Sequence, residues 1–402
     1  MNEDTSLYKM DSDYLLHEKI PDHILIDMVD QFLEGSVQAI CRGSQVCKYW
    51  NQAFCETQLW RSKLLSRFGS DPAYYHPQFR DRFDSVSTTD SDEELGHKEV
   101  YAATHVLERR FSGGAFISRE RHYHPHPITC LAIRDSAVFL ADSRGSVSTF
   151  DISSLPVEGN ERLAPCVQFS SPVSSIVISD NEFVITGHLD GSIRGSDTLE
   201  IQVHDSRVTD LAIVDNFSLL SVSSRDACIS LTDLSDSCVS QMRRLSNESA
   251  PTTVAALSPT TAIIGCRDNC CRIYDWRQPG GPASIVEMAD WCLCVETSPL
   301  PSNPLMFRAS DKGVHLFDSR HLSSPVETRH KSNRLISKFR SDFSLRLVSC
   351  GFDGELKISS LESQNGDVSI HTADDYILAA DFDRTTLCCG GMNGKIEVFS
   401  FN

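Results

Sequence analysis

A small all-α head followed by an all-β ring of seven repeating units is the fold this sequence predicts. Three observations predict it. A fixed frame recurs through the last two-thirds of the chain, tight-hairpin dipeptides fall at one position of that frame, and a helical apolar stripe occupies the first sixty residues.

The frame is clearest in RDNCCRIYDW at 267–276, where Asp268 opens a turn and Asp275 stands seven positions later. SRGSVSTFD, LDGSIRGSD, RDACISLTD, SDKGVHLFD, FDGELKISS and MNGKIEVFS fit it equally. Arg144, Asp190, Asp226, Asp268, Asp311, Asp353 and Asn393 fill the turn position, and Asp151, Asp197, Asp233, Asp275, Asp318, Ser360 and Ser400 the closing one. Consecutive copies lie 46, 36, 42, 43, 42 and 40 residues apart, the period of propeller blades. Asp-Gly at 190–191 and 353–354 and Asn-Gly at 393–394 suit two-residue hairpins, whose central residues need positive φ. Ahead of each turn lies an alternating, β-branched stretch, beginning with ITCLAI, VSSIVI, VTDLAI, TVAALS, WCLCVE, LISKFR and YILAAD, and these are expected to be strands. The aromatics before the closing position, Phe150, Tyr274, Phe317 and Phe399, are expected to wedge between neighbouring blades; units two, three and six lack one.

A ring has to close, because an open blade exposes a sheet edge. The last unit reaches Asn402 with no room for a fourth strand, and residues 115–118 (Ala115, Phe116, Ile117, Ser118) form an unpartnered apolar stretch ahead of the first unit. That stretch is expected to complete the seventh blade.

Composition narrows the function. No run of about 18 apolar residues occurs, so a spanning helix is not expected, and the acidic start MNEDTSLYKMDSDY is unlike a secretory signal. The fifteen cysteines follow no compact framework, and several alternate within apolar strands, as buried thiols do in a reducing compartment. A formal charge of −18 opposes broad binding to nucleic acid or anionic membranes. A cytoplasmic or nuclear protein is the expectation.

In the head, Pro21 suits the first turn of a helix and Asp22 complements its positive end. Ile24, Leu25, Met28, Val29, Phe32 and Leu33 recur at helical spacing before Gly35 ends the helix. Val37 and Ile40, then Val46, Cys47, Trp50 and Phe54, continue the stripe to Leu59 and Trp60. Three short helices cannot enclose that much apolar surface, so a partner is expected to cover part of it.

Ile20-Pro21, the Ile24-Leu25 pair, Leu33, Val-Cys-Lys-x-Trp at 46–50 and Leu59-Trp60 together resemble an F-box over residues 18–62, with Ile20 where Leu is commonest. The resemblance implies docking on a Skp-type adaptor and, through it, on a cullin–RING ligase core. The residues it assigns to that contact are Ile20, Pro21, Ile24, Leu25, Met28, Leu33, Val46, Trp50, Leu59 and Trp60. The short leader, 1–17, leaves no room for the dimerisation helix some relatives carry there, so a monomeric subunit is expected.

Residues 63–112 connect head to ring. Within them 84–94, DSVSTTDSDEE, is acidic and hydroxyl-rich and cannot bury enough to order itself. Ser91 and Glu94 form a possible capping box, and Val100, Ala103, Leu107 and Phe111 share one face of a helix over about 95–111 that Gly113-Gly114 ends. This helix is expected to act as a strut that sets how far a bound target stands from the head.

From 113 to 402 the array resembles a seven-bladed WD-repeat propeller, although the Trp-Asp dipeptide itself is missing. His124, four residues before Ile128, and His204, four before Val208, resemble the His that opens a WD repeat and bonds the turn Asp.

Other constellations carry less. His122, His124 and His126 alternate as on a strand but are interleaved with Pro125 and Pro127, and Cys266, Cys270, Cys271, Cys388 and Cys389 lack paired C-x-x-C spacing. Neither a metal site nor a cofactor is expected. No phosphate loop, G-x-S-x-G elbow or H-E-x-x-H motif occurs. The sequence is therefore read as a non-catalytic substrate receptor of a Skp–cullin–F-box ubiquitin ligase. A non-ligase interaction scaffold and a propeller enzyme are the alternatives. The propeller face carrying Arg207, Arg225, Arg267, Lys312, Lys331 and Arg334 is the expected target surface. Several cations there on an acidic protein suit an acidic or phosphorylated segment.

Overall fold

The computed structural model describes residues 97–401, apart from 135–136, 153–166, 180–182, 196–198, 216–217, 235–239, 247–248, 279–280, 289–290, 298–304, 310–312, 319–323, 332–333, 342–345, 361–366 and 373–375. The chain divides into two compact units, Met1–Val106 and Leu107–Asn402. The expected head (18–62) and the acidic segment (84–94) lie outside the described residues. No helix among the described residues is long and apolar enough to cross a membrane.

Among the described residues one helix, α1 (His97–Ser112), precedes 28 strands that run from β1 (Ser118–Tyr123) to β28 (Lys395–Ser400). The strands form seven four-stranded antiparallel sheets. Six are built from consecutive strands, beginning at β2 (Ile128–Arg134), β6 (Val173–Ile178), β10 (Asp210–Asp215), β14 (Pro251–Ser258), β18 (Cys294–Thr297) and β22 (Ile336–Ser341). The seventh takes β26 (Ile377–Phe382), β27 (Thr386–Gly391) and β28, with β1 as its outer strand. Each first strand packs beside the first strand of the next sheet, and β26 packs beside β2. The second unit is a β-propeller with these strands around its channel. Sheets are numbered below in chain order.

The sheets are joined by apolar wedges. Phe150 is buried among Ala379, Cys388 and Ile396 of sheet seven, and Tyr274 among Leu220, Val222 and Ile229 of sheet three. Phe317 packs on Ala255, Ile263 and Cys271 of sheet four, and Phe399 on Val348, Leu356 and Ile358 of sheet six. Each aromatic therefore fills the gap towards the preceding sheet.

Closure runs through the N-terminal segment, but the strand sits later than expected. It is β1, Ser118–Tyr123, paired antiparallel with β28 from Ser118↔Ser400 to Tyr123↔Lys395. Of the expected residues 115–118 only Ser118 lies within β1, although the Ile117 N–H already donates to Ser400 O of β28 at 2.6 Å, and Ala115 is held by the end of α1. Gly114 adopts φ +62°, its N–H donates to Phe111 O at 3.0 Å, and the Ala115 N–H donates to Arg110 O at 2.8 Å. Those two bonds are a Schellman cap, which holds Ala115 in the helix turn and delays the strand until the chain has left it.

Beyond the unit boundary, α1 inserts Leu107 and Phe111 into the core of sheets six and seven. The Phe111 ring lies 4.5 Å from that of Phe401 and 5.1 Å from that of Phe382. The Arg346 guanidinium stands 4.3 Å over its face.

Candidate interaction face and channel

The second-to-third-strand turns and the loops entering each first strand lie at one end of the sheets, because antiparallel neighbours return the chain to the same side. Short bonds tie the two sets together. Asp205 N donates to Asp226 Oδ2 at 3.1 Å and Ser224 N to Thr209 Oγ1 at 2.9 Å, while Arg334 Nη1 donates to Phe352 O at 3.0 Å.

The turn carboxylates mostly serve the turns themselves. Oδ1 of Asp142, Asp190, Asp226, Asp268 and Asp353 each accepts the amide two residues on. A cation four residues on then covers three of them: Arg194 on Asp190, Arg272 on Asp268, and Lys357 on Asp353. Hydrogen bonding by Arg272 holds the Asp268 carboxyl below its usual range. Hydrogen bonds from Ser192 and the Arg194 charge hold Asp190 low against the opposing effect of burial.

His204 has the position expected of a repeat-opening His. Its Nδ1 is 3.1 Å from Asp226 Oδ2 and its Nε2 is 2.9 Å from Ser221 Oγ. His124 departs from the frame: its Nδ1 is 3.7 Å from Asp142, two residues before the expected turn position. Arg144, which fills that position, could not accept such a bond, so the carboxylate is supplied by the end of the preceding strand. A third His, His330, went unread in the sequence. It is buried, with φ +50°, and lies between Ser349 Oγ at 2.7 Å and Ser359 Oγ at 2.9 Å.

Of the cations expected on this face, Arg207, Arg225, Arg267, Lys331 and Arg334 are exposed, and Lys312 lies outside the described residues. Asp226 and Asp268, which follow Arg225 and Arg267 in the sequence, are held by His204 and Arg272. Among the described residues Arg207, Arg225 and Arg267 take part in no ion pair.

Arg207 also lines a cavity of about 440 Å³ at the mouth of the channel, a volume within the range of about 300–1,000 Å³ usual for ligand pockets. Its wall is a band of hydroxyls that sew the sheets together. Thr129 Oγ1 donates to Val173 O at 2.8 Å, Ser174 Oγ to Val208 O at 2.6 Å, Thr252 Oγ1 to Cys292 O at 2.6 Å, and Ser337 Oγ to Ile377 O at 2.6 Å. At the corresponding positions of sheets five and seven stand Leu293 and Leu378, which line the cavity with apolar surface.

Below that band, carboxylates make a second stitch. Asp210 Oδ2 accepts from Thr253 Oγ1 at 2.8 Å and Val254 N at 3.2 Å. Glu296 Oε2 accepts from Ser341 N at 2.7 Å, and Asp381 Oδ2 from Ile133 N at 2.8 Å. Each reaches the first strand of the next sheet. Arg340 lies between two of them, with Nη1 2.8 Å from Glu296 and Nε 3.6 Å from Asp381. Burial pushes both carboxyl pKa values upward, and the Arg340 charge only partly opposes it. An acid within the apolar first strands of sheets three, five and seven was the sequence signal for this stitch.

His122 lies tilted against Phe150 and His124 stands edge-on to His126, with ring centroids 6.1 and 6.2 Å apart. Cys388 and Cys389 are buried, and burial raises both thiol pKa values, as for packing groups rather than nucleophiles. Among the described residues no group of three His, Cys, Asp or Glu side chains is placed to hold a metal.

The family model of F-box-like domains matches residues 17–66. No curated protein matches the chain. The chain is an F-box/propeller protein, with an F-box-like domain ahead of the β-propeller. The residues assigned to the adaptor contact, Ile20, Pro21, Ile24, Leu25, Met28, Leu33, Val46, Trp50, Leu59 and Trp60, fall inside the matched segment and outside the described residues.

Proposed function

We propose that this protein is the substrate-receptor subunit of a Skp–cullin–F-box ubiquitin ligase, working in the cytoplasm or nucleus as a monomeric subunit. The observation that carries the reading is the F-box-like match at 17–66 in a chain whose remainder is a propeller. The F-box-like domain binds the adaptor, the propeller holds the target, and catalysis belongs to the enzymes the complex brings near. Such a receptor acts by proximity: it raises the local concentration of acceptor lysines and does no chemistry itself.

The ring is a WD-repeat ring in this reading. Its support is the His204–Asp226–Ser221 network, joined to a period of roughly forty residues. The target is held on the face of entry loops and second turns by an acidic or phosphorylated segment. Exposed guanidinium groups at Arg207, Arg225 and Arg267, free of internal ion pairs among the described residues, are the reason for that choice.

The test is copurification. Changing Pro21 and Leu25 together to Ala is expected to remove adaptor and cullin from the purified protein while the propeller melts unchanged. Adaptor and cullin retained by the double variant would overturn the ligase reading. Adaptor without cullin in the unmodified protein would favour a scaffold outside any ligase.

A further inference from the structure

Two buried thiols meet where sheet four joins sheet five. Cys271 lies on β16 (Cys270–Asp275), the third strand of sheet four, and Cys292 lies in the loop entering sheet five. Both side chains are fully buried in one core with Val286, Val295 and Phe317. The Cys271 thiol donates to Cys292 Sγ at 3.6 Å, and the Cys292 thiol donates to Cys294 O at 3.8 Å. Other described thiols turn to oxygen instead: Cys266 to Ile264 O at 3.9 Å, Cys294 to Phe339 O at 4.0 Å and Cys350 to Lys338 O at 3.6 Å.

Two features hold the pair in place. Gly265 is paired with Cys271 across β15 (Thr261–Cys266) and β16, and a Cβ at Gly265 would stand 2.5 Å from Cys292 Sγ. Only a residue without a side chain lets Cys292 lie on sheet four beside Cys271. Thr252 Oγ1 donates to Gly265 O at 3.0 Å and to Cys292 O at 2.6 Å, which fixes the Cys292 backbone to the same sheet. The junction is one where a further tie would act strongly. Among the described residues β18, the first strand of sheet five, has four residues, against six to eight in the other first strands.

We propose that Cys271 and Cys292 are a reversible oxidation site, at which a peroxide converts the two thiols into a disulfide that staples the entry of sheet five to sheet four. The contact of 3.6 Å has to shorten to about 2.05 Å, a distance that rotation of two side chains can cover. Cys292 reacts first. It adjoins Trp291, which is 59 % exposed, and the Cys271 thiol that donates to its sulfur stabilises the thiolate. That sulfur attacks the peroxide: an S–O bond forms, the O–O bond breaks, and the departing hydroxide takes up the proton Cys292 released and leaves as water. Cys271 then attacks the sulfenic sulfur. The S–S bond forms, the S–O bond breaks, and a second water leaves with the Cys271 proton. Two thiols are oxidised and one peroxide is reduced; a dithiol reductant returns both electrons and both protons. In a reducing compartment such a bond is transient, so the site answers a rise in oxidant by tightening the ring at this junction. The inference is independent of the ligase reading.

Mass spectrometry of the purified full chain, treated with hydrogen peroxide, alkylated and digested with trypsin, tests the proposal. Peptide 268–272, which holds Cys270 and Cys271, is expected to be joined to peptide 278–308, which holds Cys292 and Cys294. Fragment spectra should place the link at Cys271 and Cys292, and dithiothreitol should remove it. The oxidised chain should melt about 5 °C above the reduced one, as for a disulfide that closes a loop of this length. Cys271→Ala and Cys292→Ala should each abolish the link and the shift, while Cys270→Ala and Cys294→Ala keep both. No link after oxidation, a link at Cys270 or Cys294, or a link that forms only in urea overturns the proposal. So does a link that leaves the melting temperature unmoved. Where an alanine variant fails to fold, the fragment spectra of the unmodified chain still decide which thiols are joined.

Discussion

Lys338 and Asp210 meet across the channel, with Nζ 3.4 Å from Oδ1, although they stand on sheets six and three, as far apart as two of these sheets can be. Burial of the ammonium favours the neutral amine, but Asp210 together with the neighbouring Cys294 and Glu296 outweighs it and the Lys338 pKa rises. The Lys338 side chain is still 29 % exposed, because it touches the water-accessible mouth. The pair is a spoke that ties opposite walls of the ring. Asp210 has further duties, since Ser175, Thr253 and Val254 all donate to it.

Removing Asp210 should therefore cost more than removing Lys338. Asp210→Ala leaves an ammonium and three donors without their acceptor, and a loss of about 3–5 kcal/mol is expected, as for a broken buried pair. Lys338→Met keeps the stem and leaves Asp210 its other donors, so about 1 kcal/mol is expected. Chemical denaturation of the two single variants and the double variant measures the coupling. Equal losses from the two single changes would mean that the spoke, and not the sheet-to-sheet stitch, dominates.

The closing strand gives a sharper test now that its limits are known. Chains beginning at Ser118 and at His124 both lack α1, so its packing cancels between them. Only the second lacks β1, which supplies six paired positions along β28 and covers an edge that would otherwise be open. The shorter chain should melt well below the longer one and aggregate on heating. Identical melting curves would show that the pairing of β1 contributes nothing to closure.

The ring was legible because its signals are periodic. Asp-Gly and Asn-Gly turns, alternating strands and the Phe150, Tyr274, Phe317 and Phe399 wedges repeat, so each copy corrected the others. The start of the closing strand was a single event with no second copy, and Ala115 and Phe116 look like strand residues until the Gly114 cap is known. Asp142 was missed for a related reason: the repeat frame drew attention to position 144. Asp210, Glu296 and Asp381 carried a signal, an acid inside an apolar run, but the amide each one finds belongs to another sheet. Such partners are set by curvature of the ring, which no local pattern encodes.

Phe111 is the residue through which α1 holds the propeller. Its side chain is fully buried against Phe382 and Phe401, under the Arg346 guanidinium, and Arg346 in turn donates to Arg384 O at 3.1 Å. Phe111→Ala should cost about 3–5 kcal/mol, the range for an aromatic removed from a packed core. Phe111→Leu should recover most of the volume but none of the cation–ring attraction. Thermal melts of both rank the two terms, and a loss under about 1 kcal/mol for Ala would show that the helix end is not part of the folded core.

His330 should make the propeller sensitive to mild acid. Burial, reinforced by the Lys357 and Arg329 charges, lowers its pKa to about 3, while in the unfolded chain an imidazole titrates near 6.5. Above pH 6.5 both states are neutral and the group adds no pH dependence. As the pH falls from 6.5 towards 3, the unfolded state takes up a proton that the folded state refuses, so stability is lost, by about 2 kcal/mol at pH 5. His188, lowered mainly by burial, acts in the same direction. Glu296 and Asp381, whose folded pKa values are raised, act in the opposite one, so the slope of the intact protein is a composite. His330→Gln isolates the contribution, because Gln can still bond Ser349 and Ser359 but does not titrate. The variant should be less stable at pH 7.5, and its deficit should shrink by about 2 kcal/mol at pH 5. A deficit that stays constant between the two pH values would mean that His330 is protonated within the folded ring.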